Sequence, residues 1–326
     1  MFLWDYFASF FKDDSESLDP QRSEQDHNKN NEDFDMYTNA THKLKLFAFL
    51  SKKERADFNA IDSSGWSPIL RAIEIDNVEI LKLLIQKSKG TDLNVPSNRQ
   101  HTPLTYAIHN ETLKIAEELI KSGANVDQKD DKDWTPLIAA IYKNNLKIIT
   151  LLATNRTNFN LIHFGWTPLT IAIGLSKCSI EVVECLIKFG ADVNQEDNNG
   201  WTPLVASIAH QNLEITRILT TNGANINFID SGGRTPLCNA VGVQNMEIVK
   251  FLVENGADVN IHNGNGGTSF HETIIRKYTK TFNYFLDNGA NLALRTVNLR
   301  NNSLELAMKH NRTGMLKQLI YHLKND

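Results

Sequence analysis

Four places in this chain carry residue types that could do chemistry. His271-Glu272 opens a segment running to Arg276 that starts as a zinc-hydrolase helix does, with an imidazole ligand followed by a candidate general base. The second imidazole is absent, which leaves the metal one ligand short. Asp130-Asp131-Lys132-Asp133 resembles the opening of a calcium loop, but it lacks the glycine at the sixth position and the bidentate glutamate at the twelfth. Gly264 to Gly267 is glycine-rich but has no following Lys-Ser/Thr, so it reads as a turn and not as a phosphate loop. Cys178, Cys185 and Cys238 are too few and too scattered for a disulfide framework or a zinc site, and they suit a reducing compartment. No serine or cysteine stands in a nucleophile-elbow context. The residues therefore predict no catalysis, no metal and no cofactor.

The remaining chemistry is aromatic. Trp66, Trp134, Trp166 and Trp201 each stand directly before a Ser/Thr-Pro pair, with His101 and Arg234 at the same place in other copies. Tryptophan is strongly enriched among interface hot spots. A large apolar residue just before a helix N-cap can also act as a staple against the residue four positions into the helix, here Arg71, Ala139, Ile171 and Ala206. Both readings stand: a partner-binding row, or local packing.

The elements that position these tryptophans recur. Ser67-Pro68-Ile69, Thr102-Pro103-Leu104, Thr135-Pro136-Leu137, Thr167-Pro168-Leu169, Thr202-Pro203-Leu204 and Thr235-Pro236-Leu237 are spaced by 32 to 35 residues, with degenerate copies at Thr268 and Asn302. A second phrase keeps the same phase, as in Gly190-Ala-Asp-Val-Asn194 and Gly256-Ala-Asp-Val-Asn260. A fixed period of this size signals a solenoid. In the unit beginning Asn199-Gly200-Trp201, Gly200 supplies a turn and Thr202 caps a helix with Pro203 at its first position. Leu204–His210 is a short helix and Gln211-Asn212 breaks it. A second helix follows over Leu213–Thr221, with Leu213, Ile215, Ile218 and Leu219 facing inward, and Gly223 ends it.

On these motifs the chain resembles the ankyrin-repeat family, with strong copies over roughly residues 62–292 and degenerate caps at each end. The resemblance implies an all-α solenoid of helix-turn-helix units with short β-hairpin fingers. The family's histidine after Thr-Pro-Leu survives only as His271; Leu70, Thr105, Ile138, Thr170, Val205 and Cys238 replace it elsewhere. The third unit lacks its closing glycine at Thr154–Asn158, and the fourth has an enlarged loop at Ser176–Ser179, so residues 153–180 are expected to be the softest part of the array. The resemblance places Trp66, His101, Trp134, Trp166, Trp201 and Arg234 on a concave, partner-contacting groove, with Tyr142 and His210 among the first-helix residues beside them. It also marks Asn194 and Asn260, each closing a Leu-x5-Asp-Val-Asn phrase, as structural residues and candidate sites of asparaginyl hydroxylation.

The ends differ from the array. Residues 1–36 comprise an apolar dodecamer, Met1 to Lys12, and an acidic polar segment that reads as a disordered linker. Residues 37–61 read as a degenerate capping repeat and residues 62–326 as the solenoid. Net charge is −4 without a clustered basic face, which argues against nucleic acid. The acidic flank likewise disfavours membrane insertion of residues 1–12. The expected function is a monomeric, non-enzymatic scaffold or adaptor with a protein partner in the cytoplasm. The alternative is a membrane-tethered or enzyme-regulating effector in which residues 1–36 act and the repeats target. The Asn-, Lys- and Ile-rich composition resembles that of ankyrin proteins from intracellular bacteria, which would place the chain in a host cytoplasm.

Overall fold

The computed structural model describes residues 67–87, 93–94, 101–175, 179–264, 266–297 and 300–325. The expectations for residues 1–66, Trp66 included, and for Cys178 lie outside the described residues. The chain divides into two compact units, Met1–Asn125 and Val126–Asp326.

In the first unit, α1 (Pro68–Glu74) and α2 (Val78–Lys87) form one hairpin, and α3 (Pro103–His109) and α4 (Leu113–Lys121) form the next. α1 packs on α3, and α2 on α4.

The second unit repeats that hairpin. Its first helices are α5 (Pro136–Tyr142), α7 (Pro168–Gly174), α9 (Pro203–Ala209), α11 (Pro236–Val243), α13 (Ser269–Arg276) and α15 (Ser303–Lys309). Its second helices are α6 (Leu146–Thr154), α8 (Ile180–Lys188), α10 (Leu213–Thr221), α12 (Met246–Glu254), α14 (Thr279–Asp287) and α16 (Thr313–Asn325). Each first helix packs on the next first helix, and α6, α8, α10 and α12 pack in the same order.

The boundaries follow from the repeated tripeptide. Ser67, Thr102, Thr135, Thr167, Thr202 and Thr235 are extended, and the side chain of each accepts the N–H three residues on, with proline at the first helical position. Such a cap is worth about 1 kcal/mol. Asn145, Asn212 and Asn245 cap second helices in the same way. The left-handed residue that closes a second helix is Gly123, Gly190, Gly223, Gly256 or Gly289, but Arg156 takes that role after α6, with φ 63°.

The core is the inward face of both helix sets. Ile73, Ile108, Ile141, Ile173, Ile208 and Val241, which recur at one position of the first helices, are all buried. In α10 the buried positions are Ile215, Thr216 and Leu219, whereas Leu213 and Ile218 are half-buried. Thr216 was not expected inside. Its hydroxyl donates to the Asn212 carbonyl at 2.7 Å and lies 3.0 Å from Ser207 Oγ, so a polar pair sits in the core fully satisfied. Among the described residues the fingers form no regular strand. They are turns, two of which carry isolated bridges, His163–Trp166 and His262–Thr268.

Candidate functional site

Four fingers of the second unit hold the residue before the capping threonine through a side chain four residues upstream, buried at Asp130, Asp197 and Asp230 and half-buried at Asn263. Asp130 Oδ1 accepts the Trp134 N–H at 2.8 Å, Asp197 Oδ1 that of Trp201 at 2.9 Å, Asp230 Oδ1 that of Arg234 at 2.7 Å, and Asn263 Oδ1 that of Gly267 at 3.0 Å. In return, each of these residues donates its own N–H to the carbonyl of that same partner, at 2.6 to 2.9 Å. The loop is therefore locked at both ends before the capping threonine begins the helix. The supposed calcium opening at Asp130 is one of these locks, since its carboxylate also accepts the Lys132 N–H at 2.9 Å. The signal was present in the sequence as an Asp or Asn recurring four residues before the tryptophan position, and Asp62 keeps the same spacing to Trp66. Burial pushes the Asp197 carboxyl up from its ordinary value, and the N–H groups of Trp201 and Asn199 pull it partly back.

The finger before Trp166 is built differently. It is one residue shorter, and His163 and Trp166 exchange both backbone hydrogen bonds at 2.8 Å across Phe164 and Gly165. Phe164 has φ 49° and Gly165 φ 91°, the pattern of a two-residue type I′ turn. Phenylalanine is a poor occupant of that region, at a cost of roughly 1–2 kcal/mol. The turn is held by the preceding finger: Phe164 donates its N–H to Asp133 Oδ2 at 3.3 Å, and His163 Nδ1 lies 3.3 Å from the Asp133 carbonyl oxygen. His163 is buried, and burial lowers its pKa.

At the root of the fingers, asparagine carboxamides bridge successive layers. Asn194 Oδ1 accepts the Asn225 N–H at 2.7 Å while its Nδ2 donates to the Gly223 carbonyl at 3.0 Å. Asn260 does the same with Asn291 and Gly289, at 2.8 and 3.0 Å. Asn160 and Asn227 repeat the motif. Asn194 and Asn260 are thus structural. At Asp127 the ladder keeps its acceptor, to the Asn158 N–H at 3.1 Å, but the carboxylate has no amide donor to return.

The structure separates the candidate contact residues. Trp134 is only 3 % exposed, with its indole edge-on to Tyr142 at 5.5 Å between centroids; its surface belongs to the core, as local packing would have it. Trp166 and Trp201 are half-buried, and Arg234 and His210 are exposed. In the first unit His101 is half-buried, its ring 4.8 Å from that of His109 at 52°. His271 is a cap: its Nδ1 accepts the Thr268 N–H at 3.1 Å, closing a capping box. Gly264–Gly267 is a finger, with the Gly266 N–H bonded to the Asn263 carbonyl at 2.7 Å. Cys185 is half-buried and Cys238 is buried with its Sγ 3.0 Å from Ser269 Oγ; both are free thiols. Among the described residues no three His, Cys, Asp or Glu side chains converge as metal ligands.

Comparison with known proteins agrees with this architecture. The family described as Ankyrin repeats (3 copies) matches residues 36–130, 113–197, 175–263 and 240–326. The chain is 33 % identical over 165 residues to a Saccharomyces cerevisiae protein named Probable 26S proteasome regulatory subunit p28, covering 49 % of this chain and 70 % of that protein. It is 28 % identical over 171 residues to the Fowlpox virus putative ankyrin repeat protein FPV031, covering 50 % of this chain and 47 % of the viral one. It is 32 % identical over 132 residues to Gallus gallus NF-kappa-B inhibitor alpha, covering 37 % and 40 % respectively. The threonine-capped helix pairs, the asparagine ladder and the matched profile agree: this chain belongs to the ankyrin-repeat family.

Proposed function

We propose that the chain is a non-enzymatic adaptor that binds a partner protein on the face bearing Trp166, Trp201 and Arg234. One observation carries the reading: Trp166 and Trp201 stand at the same position of consecutive layers, half-buried, on loops locked by backbone hydrogen bonds. A rigid aromatic side chain with an exposed edge loses little entropy on binding. His210 adds an exposed polar group and Arg234 a cation, and Tyr142 on α5 is the first-helix residue that packs on Trp134. Trp134 is packed edge-on against Tyr142 within the second unit, and His101 and Trp66 are separate candidates in the first unit by sequence position. The names of the relatives, a regulatory subunit and an inhibitor, fit a protein that acts by association. We place it in the cytoplasm, a setting that the free Cys185 and Cys238 suit; no helix among the described residues is long and apolar enough to cross a membrane. Exposed Asn194 and half-buried Asn260 remain our candidates for hydroxylation at Cβ, a modification that would leave both carboxamide hydrogen bonds in place.

Affinity capture with the full chain, compared with a Trp166→Ala/Trp201→Ala variant of equal helicity, tests the surface. Hot-spot truncation costs roughly 2 kcal/mol or more per residue, so the captured partner should be lost. Undiminished capture by the folded double variant would remove these residues from the interface.

A further inference from the structure

The last layer of the second unit leaves uncovered the positions that the preceding layer buries. Ile274 of α13 is buried, but its counterpart one repeat on, Met308 of α15, is 55 % exposed. Phe282 of α14 is buried, whereas Leu316 at the same place in α16 is half-buried. Along α16, Leu316, Ile320 and Leu323 fall at i, i+4 and i+7 and so share one face, with Ile320 41 % and Leu323 49 % exposed. An exposed apolar stripe of this kind on a repeat layer marks an interaction surface.

Charge says what would cover it. From Ser269 to Lys324 there are nine Lys and Arg against three Asp and Glu, in a chain whose net charge is −4. By helical rotation Lys317 and Lys324 lie together along one edge of the Leu316–Ile320–Leu323 stripe. Both are exposed, as is Lys309 beside Met308 on α15. Glu305, the one acid of the last helix pair, is engaged by Arg295 at 3.4 Å. Arg312 is spent on structure, donating to the carbonyls of Ile274 and Ile275 at 3.1 and 2.6 Å and so locking α16 to the preceding layer. A two-fold contact with a second copy would set lysine against lysine, whereas an acidic amphipathic segment satisfies stripe and rim together.

We propose that the C-terminal end face, centred on Met308, Ile320 and Leu323 and rimmed by Lys309, Lys317 and Lys324, docks an amphipathic acidic segment of a partner protein. It docks as a further layer would, and it is separate from the tryptophan surface. The probe is a fluorescein-labelled amphipathic peptide with Leu/Phe at i, i+3, i+4 and i+7 and Glu on the flanking positions, read by anisotropy against the full chain, with a peptide carrying Lys for Glu as control. The acidic peptide should bind and weaken with salt. Met308→Glu/Ile320→Glu and, separately, Lys317→Glu/Lys324→Glu should each weaken it about tenfold or more. Trp166→Ala/Trp201→Ala should leave it unchanged, so failure here and failure of the tryptophan surface are distinguishable. The four substituted residues of the end face are exposed, and circular dichroism verifies that each variant is folded. The proposal is overturned if neither peptide binds, if the lysine peptide binds as well, or if both face variants bind undiminished. It is also overturned if sedimentation shows a dimer that Met308→Glu/Ile320→Glu dissolves, which would assign the face to a second copy.

Discussion

Replacing His271 by glutamine should remove an acid-labile element from the fold while leaving its stability near neutral pH almost unchanged. The ring is buried in α13, where burial lowers its pKa from 6.5 to about 4 and the backbone of Leu294 opposes that shift only in part. The folded state therefore keeps the imidazole neutral, and the unfolded chain takes up a proton first as the pH falls. Stability from this residue is complete above 6.5 and is lost as the pH drops from 6.5 toward 4. A shift of about 2.5 units corresponds to roughly 3 kcal/mol when the titration is complete, at about 1.4 kcal/mol per unit. Between pH 7 and pH 5 the loss is about 2 kcal/mol. Glutamine can accept the Thr268 N–H as Nδ1 does, because Thr-x-x-Gln is itself a capping-box pair, but it does not titrate in this range. Urea unfolding followed by circular dichroism at pH 7 and pH 5 should give the wild type a steeper acid loss than His271→Gln, by about 2 kcal/mol. Hydrogen exchange at the amides of α13 should place the difference in that layer. His163, whose pKa is lowered by burial in the same direction, is present in both proteins and cancels in the comparison. Equal acid loss in the two proteins would refute the reasoning.

Asp197→Ala should cost about 1–3 kcal/mol, because the Asn199 and Trp201 N–H groups lose their shared acceptor; Asp197→Asn should restore most of it, since Asn263 fills the same role in a later finger, and thermal unfolding distinguishes the two. Gly233→Ala should destabilise far more than Gly256→Ala: both glycines have positive φ, but a Cβ at 233 would come within 2.2 Å of Gly264 Cα, whereas one at 256 meets nothing within 4 Å. Differential scanning calorimetry of the pair separates steric from conformational cost, the latter about 1 kcal/mol. Arg156→Gly should stabilise the layer by about 0.5–1 kcal/mol by relieving a side chain held at φ 63°. Hydrogen exchange should show residues 153–175 opening more readily than 204–220 in the wild type, with the gap narrowing in Arg156→Gly.

The repeat, its helix boundaries and its closing turns were legible in the sequence because their causes are local. A threonine accepting an N–H three residues on, a proline at the first helical position and a glycine at positive φ each act within one turn of chain. The finger lock at Asp130, Asp197 and Asp230 was also local, a side chain four residues from its partner. It went unread because an acidic turn residue looks the same whether its carboxylate faces water or folds back on the loop. What the fold alone decided is non-local. Trp134 and Trp201 occupy equivalent sequence positions, yet the first is buried and the second half-exposed, because the residue eight on in each unit is Tyr142 in one case and Ala209 in the other. The asparagine ladder joins residues about thirty apart, and the exposed end face exists only because no layer follows α15 and α16 within the described residues. Burial and charge pairing of that kind depend on which layer lies next to which, and a periodic sequence makes every layer look alike.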